Sequence, residues 1–217
     1  MIVVAIDGPA GAGKSTIAKA LANKLGVRYL DTGAMYRAVT FAAMQSGIDL
    51  GAECEVAKLA RDCTMELSDD TVIVNGVDAT QAIRGPEVTS AVSTVAMNSQ
   101  VRTELRERQR KWIADHSGGV IEGRDIGSVV FPDATLKVYL TASPLVRAQR
   151  RVAQSGGNVD EIASAIAVRD AQDSSRDDSP LIRTSDAITI DTSSRSIQEV
   201  VNELSQFVTK KTAMTKL

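Results

Sequence analysis

Histidine is almost missing from this chain, with His116 the only one. A zinc centre or a Ser-His-Asp triad would have to rest on that residue alone. It sits in "ADHSGG", which reads as a helix end, so neither chemistry is expected. Cysteine is also scarce. Cys54 and Cys63 lack C-x-x-C spacing and have no disulfide framework around them. Both read as reduced and helical or semi-buried. No run approaches the ~20 apolar residues of a membrane span, and no signal peptide is visible, so a cytoplasmic location is expected. A net charge of −2 gives no electrostatic footprint for nucleic acid. No internal repeat or low-complexity tract is present. What remains is 217 residues, 43% of them hydrophobic. That supports a real core, in one α/β domain with an elaboration or in two small domains.

The opening stretch "MIVVAIDGPAGAGKST" is the strongest local signal. An apolar run stops at Asp7 and a glycine-rich loop follows. Residues 8–15 fit G-x-x-x-x-G-K-S, the P-loop pattern. Glycine lets successive N–H groups turn into one hollow, and the helix that follows adds its positive end. The loop Gly8, Pro9, Ala10, Gly11, Ala12, Gly13, Lys14, Ser15 and Thr16 would cradle a nucleoside triphosphate. Lys14 would reach the β- and γ-phosphates, and the Ser15 hydroxyl would sit on Mg²⁺. An ordinary glycine turn is the bland alternative, and the strand before and helix after argue against it.

Five short apolar runs read as buried parallel strands, at 2–6, 27–30, 120–122, 136–140 and 188–190. Helical patterns alternate with them at 14–25, 34–45, 100–115, 144–154 and 197–208. This is the signature of an α/β protein with a doubly wound five-stranded parallel sheet. Residues 64–80 break the alternation with a period of two, and Asn75-Gly76 favours a tight hairpin. A small antiparallel sheet is therefore expected as an insert, followed by a helix with Pro86 in its first turn. Residues 146–181 read as helix, "SGGN" turn, helix and charged loop. Taken alone that stretch is a solvated helical hairpin laced with salt bridges. The tail "KKTAMTKL" has no periodicity and is expected to fray.

Ligands on such sheets gather at the carboxyl ends of strands. After the first strand comes the P-loop. After the second comes "DTGAMYR" with Thr32 and Arg37, and after the third "GRDIG" with Arg124 and Asp125. The polar stretch adds Arg169, Asp173 and Arg176. That is more arginine than hydrolysis of a triphosphate needs. The guanidinium fork binds phosphate in two-pronged fashion and stays charged. Arginines beyond the P-loop therefore imply a second phosphate, on an acceptor. An acceptor phosphate brings its nucleophilic oxygen already ionised, which suits a chain without a ready general base.

Together, "IDGPAGAGKST", "LDTGAMYR", "IEGRDIGSVVFPDA" and "RDAQDSSRDDSPL" resemble the bacterial cytidylate (CMP) kinases, within the P-loop nucleoside monophosphate kinases. The resemblance covers most of the chain, in order. It implies transfer of the ATP γ-phosphate to CMP or dCMP, with Mg²⁺, by a monomer acting on small molecules. It divides the chain into a core of 1–63, 99–145 and 182–211, a monophosphate-binding insert at about 64–98, and a lid with acceptor contacts at about 146–181. It implies that Arg37, Arg124 and Arg176 hold the acceptor phosphate, with Thr32 at the binding loop. Ser93, Arg102 and Asp125 would read the cytosine edge, and Arg169 and Asp173 the sugar hydroxyls. Lys14, Arg124 and Asp125 would form the catalytic group. Arg150 and Arg151, with Arg147, resemble a lid closing on ATP.

Several residues keep a plainer alternative. Arg102 lies in a helix rich in Arg and Glu, where most such residues are solvent-facing i, i+4 partners. Ser93 serves either helix packing or the base. Glu122 either supports Arg124 or ends a strand. Asp177 and Asp178 read as surface charges, and Trp112 and Met97 as core. Other small P-loop kinases, acting on thymidylate, shikimate or sugars, are the nearest rivals. A GTPase switch would need an N-K-x-D element, which is absent. A motor or helicase would need an apolar strand ending in paired acids together with a basic face. A non-catalytic scaffold would be expected to have lost Lys14, Asp125 or an acceptor arginine.

Overall fold

The computed structural model describes residues 1–214. Its element order is β1 (Ile2–Asp7), α1 (Lys14–Leu25), β2 (Tyr29–Asp31), α2 (Thr32–Gln45), α3 (Glu53–Asp62), β3 (Met65–Leu67), β4 (Val72–Val74), β5 (Val77–Asp78), α4 (Pro86–Met97) and α5 (Ser99–Asp115). Then follow β6 (Gly118–Gly123), a π-turn (Ile126–Val130), β7 (Leu136–Thr141), α6 (Pro144–Ser155), α7 (Val159–Ser174), β8 (Ile188–Asp191) and α8 (Ile197–Met214). The chain divides into two compact units. One is Met1–Tyr29 with the chain from His116 onward, and the other is Leu30–Asp115.

The five long-expected strands form one sheet in the order β2-β6-β1-β7-β8. β1 pairs in parallel with both β6 and β7, and β7 with β8. The chain winds to one side of β1 and then to the other. The end of β1 is thus the topological switch point, the place where open α/β sheets take their ligands. Val4, Ile6, Val120, Val138 and Leu140 are fully or nearly fully buried, under Ile17 and Leu21 of α1 and Val200 and Leu204 of α8. A strand covered on both faces has no polar side to show, which is why these runs read as continuous apolar segments.

The second unit carries the insert. β3, β4 and β5 form an antiparallel sheet, and β4 and β5 are joined by Asn75-Gly76, both with positive φ. That is the turn geometry the dipeptide favours. Val72 and Val74 turn inward onto Ala34, Ala38 and Ala42 of α2. Pro86 is the first residue of α4.

Several boundaries differ from the sequence expectation. The strand expected at 27–30 starts two residues later, because the Val27 N–H is spent closing α1 on the Ala22 carbonyl after left-handed Gly26. α2 begins at Thr32 rather than 34, because the Asp31 carboxylate caps it by accepting the Ala34 N–H at 3.0 Å. α3 was not read as an element. It carries exposed Cys54 and ends at buried Cys63. The expected fraying of the tail fails for residues 210–214, since α8 runs to Met214, and residues 215–217 lie outside the described residues. Met97 is not core. It closes α4 at 51% exposure while Val88, Val92 and Val95 take the buried face.

Candidate active site

β1 ends in Asp7, and the P-loop springs directly from it. Gly8, Gly11 and Gly13 all have positive φ (148°, 76° and 86°), and α1 starts at Lys14. Gly8 is fixed by space as well as by φ. A Cβ there would lie 2.0 Å from the Leu140 carbonyl oxygen. Lys14 is buried and donates to the Pro9 carbonyl at 2.9 Å, folding its ammonium back across the loop. Burial pushes its pKa down to about 7, helped by Arg124 and Arg169 and opposed by Glu122 and Asp7. Ser15 and Thr16 are exposed on the first turn of α1. Left-handed glycines, a desolvated lysine and an exposed hydroxyl at a helix start fit a triphosphate with its divalent cation.

β6 delivers the next residues. Glu122 is buried and accepts a hydrogen bond from the Tyr29 hydroxyl at 2.5 Å. It thus ends the apolar run while its charge acts on both Lys14 and Arg124. Arg124 follows, and its Nε donates to Asp173 Oδ2 at 2.8 Å. Arg176 Nη1 lies 3.6 Å from the other oxygen of the same carboxylate. Burial alone would raise the Asp173 pKa, but Arg124 and Arg176 hold it below the usual carboxylate range. Arg169 sits in the same field. Burial and the Arg124 charge push its pKa down to about 10, and its buried Nε has no hydrogen-bond partner among the described residues. The sequence readings thus meet in one cluster of Lys14, Arg124, Asp173, Arg169 and Arg176, with the carboxylates of Glu122, Asp170 and Asp7 in the same field. Guanidinium groups gathered in this way can bind phosphate oxygens in two-pronged fashion.

The helical pair α6–α7 is tied to the P-loop rather than merely solvated. Asp170 accepts the Ala10 N–H at 3.0 Å and pairs with Arg147, which also donates to the Ala10 carbonyl at 3.1 Å. Arg150 donates to the Thr192 hydroxyl and carbonyl at 2.9 and 2.7 Å, and that hydroxyl donates on to the Ala12 carbonyl. Arg151 is half-buried. The turn at Gly156-Gly157 has positive φ at both glycines, and Asn158 caps α7. Asp177 is exposed, as expected of a surface charge, while Asp178 is half-buried and accepts from the Ser179 hydroxyl at 2.5 Å.

The second unit has its own polar set. Thr32 is buried at the start of α2. Arg37 donates to the Thr89 hydroxyl at 2.8 Å and the Ile83 carbonyl at 3.2 Å. Arg102 is not a solvent-facing partner. It is 1% exposed, donates to the Ala96 carbonyl at 3.1 Å and stacks 5.4 Å above the Tyr36 ring. Ser93 is half-buried on α4.

Sequence reasoning passed over Asp7, Asp170 and Thr192. Asp7 had a visible signal, a lone carboxylate ending an apolar strand at the mouth of the loop. Thr192 had none, because its role depends on where β8 and α6 come together.

Comparison with known proteins places the chain in a family. The family model described as cytidylate kinase matches residues 4–210. A cytidylate kinase of Limosilactobacillus fermentum is 44% identical over 218 residues, covering 96% of each chain. One of Streptomyces avermitilis is 44% identical, covering 98% of this chain and 94% of its own. A bifunctional pantoate ligase/cytidylate kinase of Trichormus variabilis is 45% identical over 93% of this chain, which spans only 40% of that longer relative. Among solved structures, a gluconokinase of Sinorhizobium meliloti shares the fold at TM-score 0.51 and 14% identity, covering 96% of this chain and 92% of its own. With a family model across nearly its whole length and full-length relatives at this identity, the chain belongs to the cytidylate kinase family.

Proposed function

We propose that the protein transfers the γ-phosphate of ATP to CMP or dCMP, giving ADP and CDP or dCDP. The observation that carries this reading is the arginine cluster beside the P-loop. Arg124, Arg169 and Arg176 face one shared carboxylate, Asp173, within the field of Lys14. Three arginines gathered beyond the P-loop are more than a triphosphate alone calls for, whereas a phosphorylated acceptor gives them a partner.

In this reading the P-loop amides and Lys14 hold the ATP phosphates, and Ser15 holds Mg²⁺, which screens phosphate charge when bound. Arg37, Arg124 and Arg176 hold the acceptor phosphate, and Thr32 shapes its loop. An oxygen of that phosphate, already anionic, attacks the γ-phosphorus. The bond to the β,γ-bridging oxygen breaks and ADP leaves with the electron pair. No proton has to be removed from the nucleophile, so the chain's task is alignment and charge neutralisation. Arg102, Asp125 and Ser93 read the cytosine edge. Arg169 and Asp173 reach the sugar hydroxyls, and Arg150 and Arg151 steady ATP from the lid. The insert at 64–98 and the lid at 146–181 close over the core at 1–63, 99–145 and 182–211, excluding water that would otherwise take the phosphoryl group. The protein works as a cytoplasmic monomer on small molecules.

A coupled assay of ADP formation with CMP, dCMP, UMP, AMP and shikimate tests the reading. CMP or dCMP should give the highest kcat/KM. A preference for shikimate, or the same rate without any acceptor, would overturn it.

A further inference from the structure

Asp7 is a buried carboxylate with two hydrogen bonds to backbone. Its Oδ1 accepts the Ile126 N–H at 2.9 Å, and its Oδ2 accepts the Gly127 N–H at 2.7 Å. Both amides begin the π-turn, whose odd register is set by Val130 N–H to Asp125 O and Phe131 N–H to Ile126 O. Arg124 and Asp125 lie immediately before that turn, and Gly8 immediately after Asp7. In register, Asp7 stands opposite Gly123 of β6 and Tyr139 of β7. The approach is close enough that a Cβ on Gly127 would fall 3.4 Å from Asp7 Oδ2.

We propose that Asp7 is a positioning residue for phosphoryl transfer. Through the Ile126 and Gly127 amides it fixes the segment bearing Arg124 and Asp125 to the strand from which the P-loop springs. The inference rests on the phosphotransfer reading above. Two amides give the carboxylate a two-point hold, so Arg124 and Asp125 cannot pivot about a single bond. Misplacing a transfer group by about 1 Å costs on the order of 10²-fold in rate. A carboxylate is an expensive way to satisfy two amides in the interior, since desolvation works against its charge. The charged and titratable groups acting on it are Lys14 at the start of α1, Asp125 at the turn and Tyr139 on β7. Burial pushes the Asp7 pKa up to about 6, Asp125 adds to the rise, and the two amides and Lys14 oppose it. The two-point hold is therefore strongest well above pH 6 and weakens as pH falls through about 6.

Two measurements test this. In ¹⁵N-labelled wild-type protein, the Ile126 and Gly127 amide resonances should titrate together with a midpoint near 6, and kcat with CMP should fall along the same midpoint. In Asp7→Asn one oxygen is replaced by an N–H₂ group facing a donor. Its kcat at pH 7.5 should fall at least about tenfold, the KM for ATP should stay within about threefold, and the Ile126 and Gly127 amide resonances should move from their wild-type positions. A folded Asp7→Asn enzyme with unchanged kcat would overturn the proposal, as would Ile126 and Gly127 amide resonances that the substitution leaves unmoved. Should that variant fail to fold, Asp7→Glu, which keeps the charge and moves the carboxylate by one methylene away from the two amides, takes its place with the same expected loss of kcat. Absence of CMP phosphorylation in the wild type would instead defeat the functional reading, and the Ile126 and Gly127 amide shifts in Asp7→Asn would still decide whether Asp7 holds the turn.

Discussion

Asp173 divides its carboxylate between two arginines, with Arg124 Nε at 2.8 Å from one oxygen and Arg176 Nη1 at 3.6 Å from the other. One side chain of α7 thereby sets the spacing of two guanidinium groups that come from different parts of the chain. Both arginines are held in place before any phosphate arrives, so little of their rotamer freedom is lost on binding.

Asp173→Asn should therefore raise the KM for CMP by about tenfold or more while the KM for ATP changes little. It should also destabilise the fold by about 1–3 kcal/mol at neutral pH, the cost of leaving a buried charged partner poorly matched. Arg124 and Arg176 depress the folded-state pKa of Asp173 below 3.8, so its contribution to stability is present above pH 3.8 and is lost as pH falls through the lower folded value. Thermal melts of the two proteins should differ at pH 7 and draw together as pH falls below 3.8. A gap in Tm that does not depend on pH would show that the pair contributes nothing through charge.

Lys14 gives a second prediction. Its pKa of about 7 leaves it mostly neutral at pH 8, and phosphate oxygens around it would restore the ammonium form. Binding of a non-hydrolysable ATP analogue at pH 8 should take up about one proton. Calorimetry in buffers of different ionisation enthalpy measures this directly, and Lys14→Met should abolish the uptake. The sign for stability runs the other way. A lysine with a lowered folded pKa contributes stability above its unfolded value of 10.5 and loses it as pH falls through about 7. Lys14→Met should therefore melt higher than wild type at pH 6 while losing activity, as expected where a strained site group serves the ligand rather than the fold.

A third prediction concerns Arg108, which lies in the arginine-rich helix α5. It donates to the Cys63, Ala60 and Arg61 carbonyls at 2.6, 2.8 and 2.8 Å, and its Nε pairs with Glu104. These are the unsatisfied carbonyls at the end of α3. Arg108→Ala should cost about 2–3 kcal/mol in urea unfolding, and Arg108→Lys should recover only part, because one ammonium nitrogen cannot take the separate positions of Nη1, Nη2 and Nε. At low temperature the KM for ATP should be unchanged. A neutral Arg108→Ala would mark the clamp as decoration.

The architecture was legible where sequence pattern and burial coincide. Runs such as 2–6 and 136–140 are apolar because both sheet faces are covered, and Asn75-Gly76 announced its hairpin through backbone preference alone. The P-loop was legible because its chemistry needs residue types at fixed spacing. What stayed hidden depends on contacts distant in sequence. Arg102 and Arg108 look alike in "VRTELRERQRKW", yet one is buried over Tyr36 and the other caps α3. Nothing local distinguishes them. Thr192 joins Ala12 to Arg150 only because β8 ends beside the loop. The boundary of β2 was misplaced because Val27 is apolar enough for a strand, yet its N–H closes a helix.

The central claim is that this arginine-rich site passes a phosphoryl group to an acceptor and does not release it to water. The fate of the γ-phosphate tests that most directly, by ³¹P NMR of the wild-type protein with ATP, Mg²⁺ and CMP. The account predicts that the γ signal declines as the β-phosphate signal of CDP grows in equal amount, with inorganic phosphate negligible, and that little changes when CMP is left out. Growth of inorganic phosphate at the same rate with or without CMP would contradict it.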